Sequence, residues 1–269
     1  MINCFIAVSG VAVGSYLASP NWLTIHTGLT GLAVFFVCAG GNALNDARDV
    51  AIDRISHPDR VLVRGELSKR TAIVMTAVFM ASGLMLASLV NVTVVAIGAA
   101  GILLTLSYDL WLKQVPLLGN VLVAVSAGLT FLIGGAASDP ERWCGLPGPM
   151  IPFIFAILFH LVRELVKDVE DREGDMQSGI VTLPSRMGVK PTLTLASALT
   201  AISIILTAIP YALHWFGLLY LVFGVGLAQL PTLFLLLSAL KSPSASRLRQ
   251  TSTMLKVGMI LGLLALIMG

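Results

Sequence analysis

The sequence predicts an all-α integral membrane protein, and three observations carry that reading. Only 12% of the 269 residues are charged while 57% are hydrophobic, and the mean hydropathy is +0.91; a soluble domain carries about 25% charged residues. Apolar runs long enough to span a bilayer, about 17–25 residues each, recur along the whole chain. The evenly spaced alternating segments of a membrane barrel are not found in the sequence, so the spans are helices that satisfy their own backbone groups.

Nine spans are expected, over residues 2–18, 22–44, 70–90, 93–108, 117–137, 150–166, 191–211, 215–238 and 252–268. The first has no basic start and continues straight into further spans, so it does not read as a cleavable signal. The chain opens almost inside this span, so a leading segment is either missing or very short. The second span closes with Gly40, Gly41 and Asn42 and runs into the acidic stretch NDARDVAID. Only Asn91 and Thr93 separate the third from the fourth. The fifth carries Gly134 and Gly135, which permit close helix packing or make room for a lipid tail. The sixth ends in Arg163 and Glu164 and runs into VKDVEDREGD. The last three are apolar runs, the eighth and ninth separated by the basic segment 239–251. No long polar linker divides the chain, so 1–269 reads as one domain. Cys4, Cys38 and Cys144 have no metal-ligand spacing and read as small apolar residues.

With the amino terminus inside, segments 45–69, 109–116, 167–190 and 239–251 share one face. With their flanks they hold every lysine and arginine except Arg142. The positive-inside rule makes that face cytoplasmic and puts the carboxyl terminus outside. All acids but Asp139 and Glu141 lie on the same face. Acidic residues contribute little to topology, so their gathering points to a site.

The acids are duplicated. Asp46, Asp49 and Asp53 are matched by Asp168, Asp171 and Asp175 at a constant offset of 122 residues, and Glu164 matches Asn42. Each cluster (residues 42–53 with the loop 54–69, residues 164–175 with the loop 176–190) closes an outside-to-inside span, the second and the sixth. That is the pattern of a parallel repeat about an axis along the membrane normal: two four-helix halves plus a final helix, with the clusters expected to face each other. At about 3.6 residues per turn, Asn42, Asp46, Asp49 and Asp53 line one stripe of a continuing helix, as do Glu164, Asp168, Asp171 and Asp175.

Carboxylates crowded on one stripe repel unless a cation sits among them. Oxygen donors without His or Cys select a hard ion, Mg²⁺ or Mn²⁺. Mg²⁺ is usually held by one or two carboxylates plus substrate phosphates, so two such clusters make a diphosphate clamp. Lys113, Arg163 and Lys167 would stabilise departing diphosphate oxygens. Charge at Arg163 and Glu164 is costly within the last turns of an apolar span and is usually functional. The competing reading has interfacial acids capping helix ends and pairing with Arg48, Arg54, Lys167 and Arg172. His160 is a base or a satisfied intramembrane histidine. The loop DRISHPDRVLVRGELS, broken by Pro58 and Gly65, is a phosphate-binding lid through Arg60 and Arg64 or an ordinary basic loop.

At these residues the chain resembles the UbiA-type intramembrane prenyltransferases. NDARDVAID followed by RISHPDR and RGELS is similar to the first family signature, and KDVEDREGD followed by TLP to the second. YDLWLKQVPLLGN resembles the tyrosine–lysine motif between the halves, although Lys113 stands five residues after Tyr108 where some members have four. The resemblance implies nine helices around a central cavity open to the bilayer and Mg²⁺-dependent transfer of a polyprenyl group from its diphosphate to a lipophilic acceptor. It implies metal binding, with two ions, by Asp46, Asp49, Asp53, Asp168, Asp171 and Asp175. Asn42, Asn45, Arg60, Arg64, Tyr108, Lys113, Arg163 and Lys167 would hold substrate, and Asp46, Asp49, Asp168, Asp171 and Lys113 would be catalytic. The partners implied are the diphosphate, the acceptor and membrane lipid, with no nucleic acid.

The opening INC and the closing LKVGMILGLLALIMG are most similar to the archaeal ether-lipid branch of the family, which implies geranylgeranyl transfer to geranylgeranylglyceryl phosphate. His57, Arg60, Arg64 and Lys69 suit a phosphorylated acceptor. An aromatic acceptor of quinone biosynthesis is the alternative. A divalent-cation transporter is the reading from another class, but transport sites usually lie near the midplane on interrupted helices.

Overall fold

The computed structural model describes residues 2–56, 58–113, 115–177 and 179–269, with the side chains of Ile2, Ile52, Ile55, Ser56 and Gln177 left undescribed. His57, one of the bases assigned above to the first loop, lies outside the described residues. Among the described residues the regular structure is entirely helical. Its elements are α1 (Ile2–Ala18), α2 (Ile25–Ser56), α3 (Lys69–Ser88), α4 (Val92–Leu112), α5 (Leu118–Ser138), α6 (Met150–Gln177), α7 (Leu183–Met187), α8 (Val189–Ala212), α9 (Leu218–Lys241) and α10 (Ala245–Met268). Seven of these are long and apolar enough to cross a membrane: α3, α4, α5, α8, α9, α10 and Ile25–Ala51 of α2. α1 is a shorter apolar helix, and α6 carries its charges in its last turns. The chain is a multi-span membrane protein.

The element boundaries follow local chemistry. Asn91 caps α4 by accepting the Val94 N–H at 2.9 Å, while its amide donates to the Ala136 carbonyl at 2.8 Å. Ser68 caps α3 by accepting from Thr71 N at 3.0 Å. These are the orphan donors that every helix start must satisfy. α2 and α6 continue past their apolar runs, to Ser56 and Gln177, with no proline in those continuations to stop the helix. The acidic stripes therefore stand on unbroken helix. Two segments are π-helical, Tyr108–Leu112 at the end of α4 and Val222–Gln229 inside α9. The short α7 arises within the second loop, where Ser185 Oγ accepts the Thr182 N–H at 3.0 Å.

The chain divides into two compact units: residues 1–112 with 129–150, and residues 113–128 with 151–269. The boundary differs from the expected halves, because it falls within α5 rather than before it. In the first unit α2 packs against α1 and α3, and α4 packs on α3. The later part of α5 meets α1 at very short range, since a Cβ on Gly134 would lie 2.1 Å from the Val11 carbonyl oxygen and one on Gly14 2.0 Å from that of Phe131. The buried Ser15 Oγ donates to the Gly134 carbonyl at 2.7 Å. Between spans, close packing and interhelical hydrogen bonds replace the hydrophobic effect as the cohesive force.

In the second unit the early part of α5 meets α6, where a Cβ on Gly128 would lie 2.9 Å from the Phe153 ring. The core joins α6, α7, α8, α9 and α10 through Leu165, Val166, Leu183, Leu193, Leu236 and Leu255. The same unit holds a polar knot: buried Gln229 donates to Ser203 Oγ at 3.1 Å and to Thr207 Oγ1 at 2.8 Å.

Candidate active site

In the first unit, α2 carries Asn42, Asn45, Asp46, Asp49 and Asp53 along one continuous helix. Asp53 is 5% exposed and Asp46 half-buried. One nitrogen of Arg60, Nη1, donates to Asp46 Oδ1 at 2.9 Å and to Asp53 Oδ2 at 2.7 Å. The guanidinium thus bridges carboxylates two helical turns apart, in charge-assisted bonds stronger than neutral ones. Of the cations proposed as ordinary partners for this cluster, Arg48 instead donates to the Leu110 carbonyl at 3.4 Å, and Arg54 is exposed. Arg64 forms a surface ion pair with Glu66 at 3.1 Å and does not reach the carboxylates of the stripe. Asn42 donates weakly to Cys4 Sγ at 3.4 Å, which gives the buried Cys4 a polar partner beside its apolar packing. Tyr108 opens the π-helical end of α4.

In the second unit, α6 carries Arg163, Glu164, Lys167, Asp168, Asp171 and Asp175. Arg163 Nη1 pairs with Glu164, which is 9% exposed. Asp168 lies just beyond the apolar part of the helix. Asn120 of α5 donates to its Oδ2 at 2.8 Å. Burial pushes the Asp168 carboxyl up to about 6; the Asn120 bond opposes that rise, while the Glu164 and Asp175 charges reinforce it. Asp175 is also raised, first by burial and then by Asp171, with Lys167 and Lys113 opposing. Lys113 therefore stands near the end of the second stripe. Asp171 and Lys167 are exposed. His160 lies one turn before Arg163 and Glu164 on the same helix.

Asn120 is the residue that sequence reasoning missed. Its signal was there: it is a lone polar side chain inside the otherwise apolar start of α5, in the stretch PLLGNVLV. What the sequence lacked was its partner, 48 residues away.

The donors fit a hard divalent cation. They are carboxylate and amide oxygens without a soft donor, the set that hard cations prefer. Among the described residues, no three His, Cys, Asp or Glu side chains converge into a ready-made cage.

Comparison with known proteins adds the following. The UbiA prenyltransferase family profile matches residues 7–268. Digeranylgeranylglyceryl phosphate synthase of Methanopyrus kandleri is 36% identical over 267 residues, covering 98% of this chain and 94% of that protein. The synthase of the same name from Methanocaldococcus jannaschii is 33% identical, covering 99% and 92%. A solved structure described as digeranylgeranylglyceryl phosphate synthase in membranes superposes with a TM-score of 0.81 at 32% identity, covering 99% of this chain and 94% of that one. A UbiA homolog from Archaeoglobus fulgidus bound to GPP and Mg²⁺ shares the fold, with a TM-score of 0.73 at 22% identity over 98% and 95% of the two chains. The chain belongs to the UbiA prenyltransferase family.

Proposed function

We propose that this prenyltransferase moves a geranylgeranyl group from its diphosphate to the free hydroxyl of geranylgeranylglyceryl phosphate, in archaeal membrane ether-lipid synthesis. The observation that carries the reading is the pair of offset-related acid stripes on α2 and α6, in a chain 36% identical over nearly its whole length to a digeranylgeranylglyceryl phosphate synthase. In the reaction the allylic C–O bond to diphosphate breaks, a C–O ether bond forms at the acceptor hydroxyl, and that hydroxyl releases its proton.

Each acidic stripe contributes carboxylates to a hard cation: Asp46, Asp49 and Asp53 in one, Asp168, Asp171 and Asp175 in the other. Mg²⁺, one ion held by each stripe, would supply charge neutralisation at the leaving diphosphate. Asn42, Asn45, Lys113, Arg163 and Lys167 hold diphosphate oxygens, with Tyr108, Arg60 and Arg64 at the margin. Asn120 keeps Asp168 oriented and ionised. Apolar side chains of the spans take the prenyl chain and exclude water that would quench an allylic cation. Nine helices cross the bilayer as one domain, the seven long apolar ones together with α1 and α6. The acidic ends face the cytoplasm, a reading supported by basic residues concentrated on that face, with Arg142 the exception.

The test is an assay of the purified protein in detergent, with Mg²⁺, radiolabelled geranylgeranyl diphosphate, and geranylgeranylglyceryl phosphate or 4-hydroxybenzoate in parallel. Label in the glycerol phosphate lipid, lost with EDTA, is the expected result. Label in the aromatic product alone would overturn the acceptor and keep the chemistry. No transfer to either would overturn the proposed reaction.

A further inference from the structure

Building on the proposed reaction, we propose that Arg60 is a positioning residue that competes with the divalent cation for Asp46 and Asp53, so that metal loads the first stripe only as Arg60 leaves it. The argument is geometric. A single nitrogen, Nη1, lies 2.9 Å from Asp46 Oδ1 and 2.7 Å from Asp53 Oδ2, so it occupies the gap between the two carboxylates. A hard cation bound to those same oxygens sits at about 2.0–2.1 Å. It would stand within a few ångströms of the guanidinium, two like charges at close range.

The bridge is specific to Arg60. Three other arginines flank the stripe, and they point elsewhere: Arg48 to a helix carbonyl, Arg64 to Glu66, and Arg54 to the exposed surface. Asp53 is 5% exposed, so its charge is shielded from water and depends on a protein partner. A buried carboxylate left without one is costly. Arg60 therefore bridges the two carboxylates and fills the gap that a cation would enter.

Arg60 is also placed to move. It follows α2 in a segment of turns, tied by the Arg64 N–H to the Arg60 carbonyl at 3.0 Å and by the Glu66 N–H to the Val61 carbonyl at 3.1 Å. Its side chain can leave the carboxylates without breaking a helix. In the second stripe the described partner of Asp168 is the neutral amide of Asn120. The two stripes, alike in sequence spacing, thus have different described partners at Asp46 and Asp168.

A bridge that leaves about one molecule in ten open weakens apparent metal affinity about tenfold. The experiment is a Mn²⁺ titration, followed by the free-ion EPR signal, of the purified full-length protein in detergent without substrate. Wild type is compared with Arg60→Ala, Arg60→Lys and Arg54→Ala. Arg60→Ala is expected to bind Mn²⁺ about tenfold more tightly. Arg60→Lys, which keeps the positive charge, is expected to restore the weaker binding and reports on a folded chain. Arg54→Ala removes an equal charge nearby without removing a bridge, and leaves the affinity as in wild type. Unchanged or weaker binding in Arg60→Ala, equal tightening in Arg54→Ala, or no Mn²⁺ bound by any variant would each overturn the proposal. Mg²⁺-dependent prenyl transfer is measured in parallel. Transfer intact with no Arg60 effect defeats the competition alone, whereas no transfer to any acceptor defeats the proposed reaction.

Discussion

Replacing Asn120 with alanine tests whether a neutral side chain on α5 controls a carboxylate on α6. The amide donates to Asp168 Oδ2 at 2.8 Å and is the strongest influence lowering a carboxyl that burial has pushed up to about 6. A hydrogen bond to a charged group contributes about 1.5–3 kcal/mol. Its loss corresponds to a further rise of about one to two pH units in the Asp168 titration, at about 1.4 kcal/mol per unit. Only the ionised carboxylate binds a cation. Wild type should therefore keep most of its Mg²⁺ affinity at about pH 7 and lose it as the pH falls through about 6. The variant should lose affinity earlier, requiring about two- to tenfold more Mg²⁺ for half-maximal transfer at about pH 7, with the deficit closing by about pH 9. The assay is the Mg²⁺ dependence of prenyl transfer at several pH values. An equal Mg²⁺ midpoint in both proteins at about pH 7 would refute the reasoning. A deficit that persists unchanged at about pH 9 would do the same, because it would place the effect in packing and not in protonation.

Two further outcomes follow from the same geometry. Asp46→Ala and Asp168→Ala should each reduce transfer by about a hundredfold or more, as expected when charge stabilisation of a leaving group is removed, while circular dichroism keeps the helical signal; near-normal turnover with Mg²⁺ still required would sink the two-stripe assignment. Gly134→Ala would place a Cβ 2.1 Å from the Val11 carbonyl oxygen. The α1–α5 contact must then open, costing about 1–3 kcal/mol, which a lowered thermal unfolding midpoint in detergent would report; an unchanged midpoint would mean that the contact is not tight.

Much of the fold was legible in the chain because membrane spans are written locally. An apolar run of sufficient length must be helical in lipid, and Asn91 marked a break that the structure realises as a cap on α4. The acidic stripes were legible for the same reason. Residues at i, i+4, i+7 and i+11 share a helix face by geometry alone, provided the helix continues, and α2 and α6 do continue to Ser56 and Gln177. The partition of α5 between two compact units was not legible, because its small residues suit close approach to any neighbour.

The sequence by itself determined that the chain spans a membrane, that its acids fall in two equivalent stripes, and that those stripes suit a hard cation and a diphosphate. Only the tertiary structure decided which side chains attend them: Arg60, and not Arg48, Arg54 or Arg64, at Asp46 and Asp53, and Asn120 at Asp168. The physical reason is range. Periodicity and hydropathy act over a few turns and can be read along the chain. A hydrogen bond across 14 or 48 residues depends on where loops and neighbouring helices bring their side chains, and packing alone settles that.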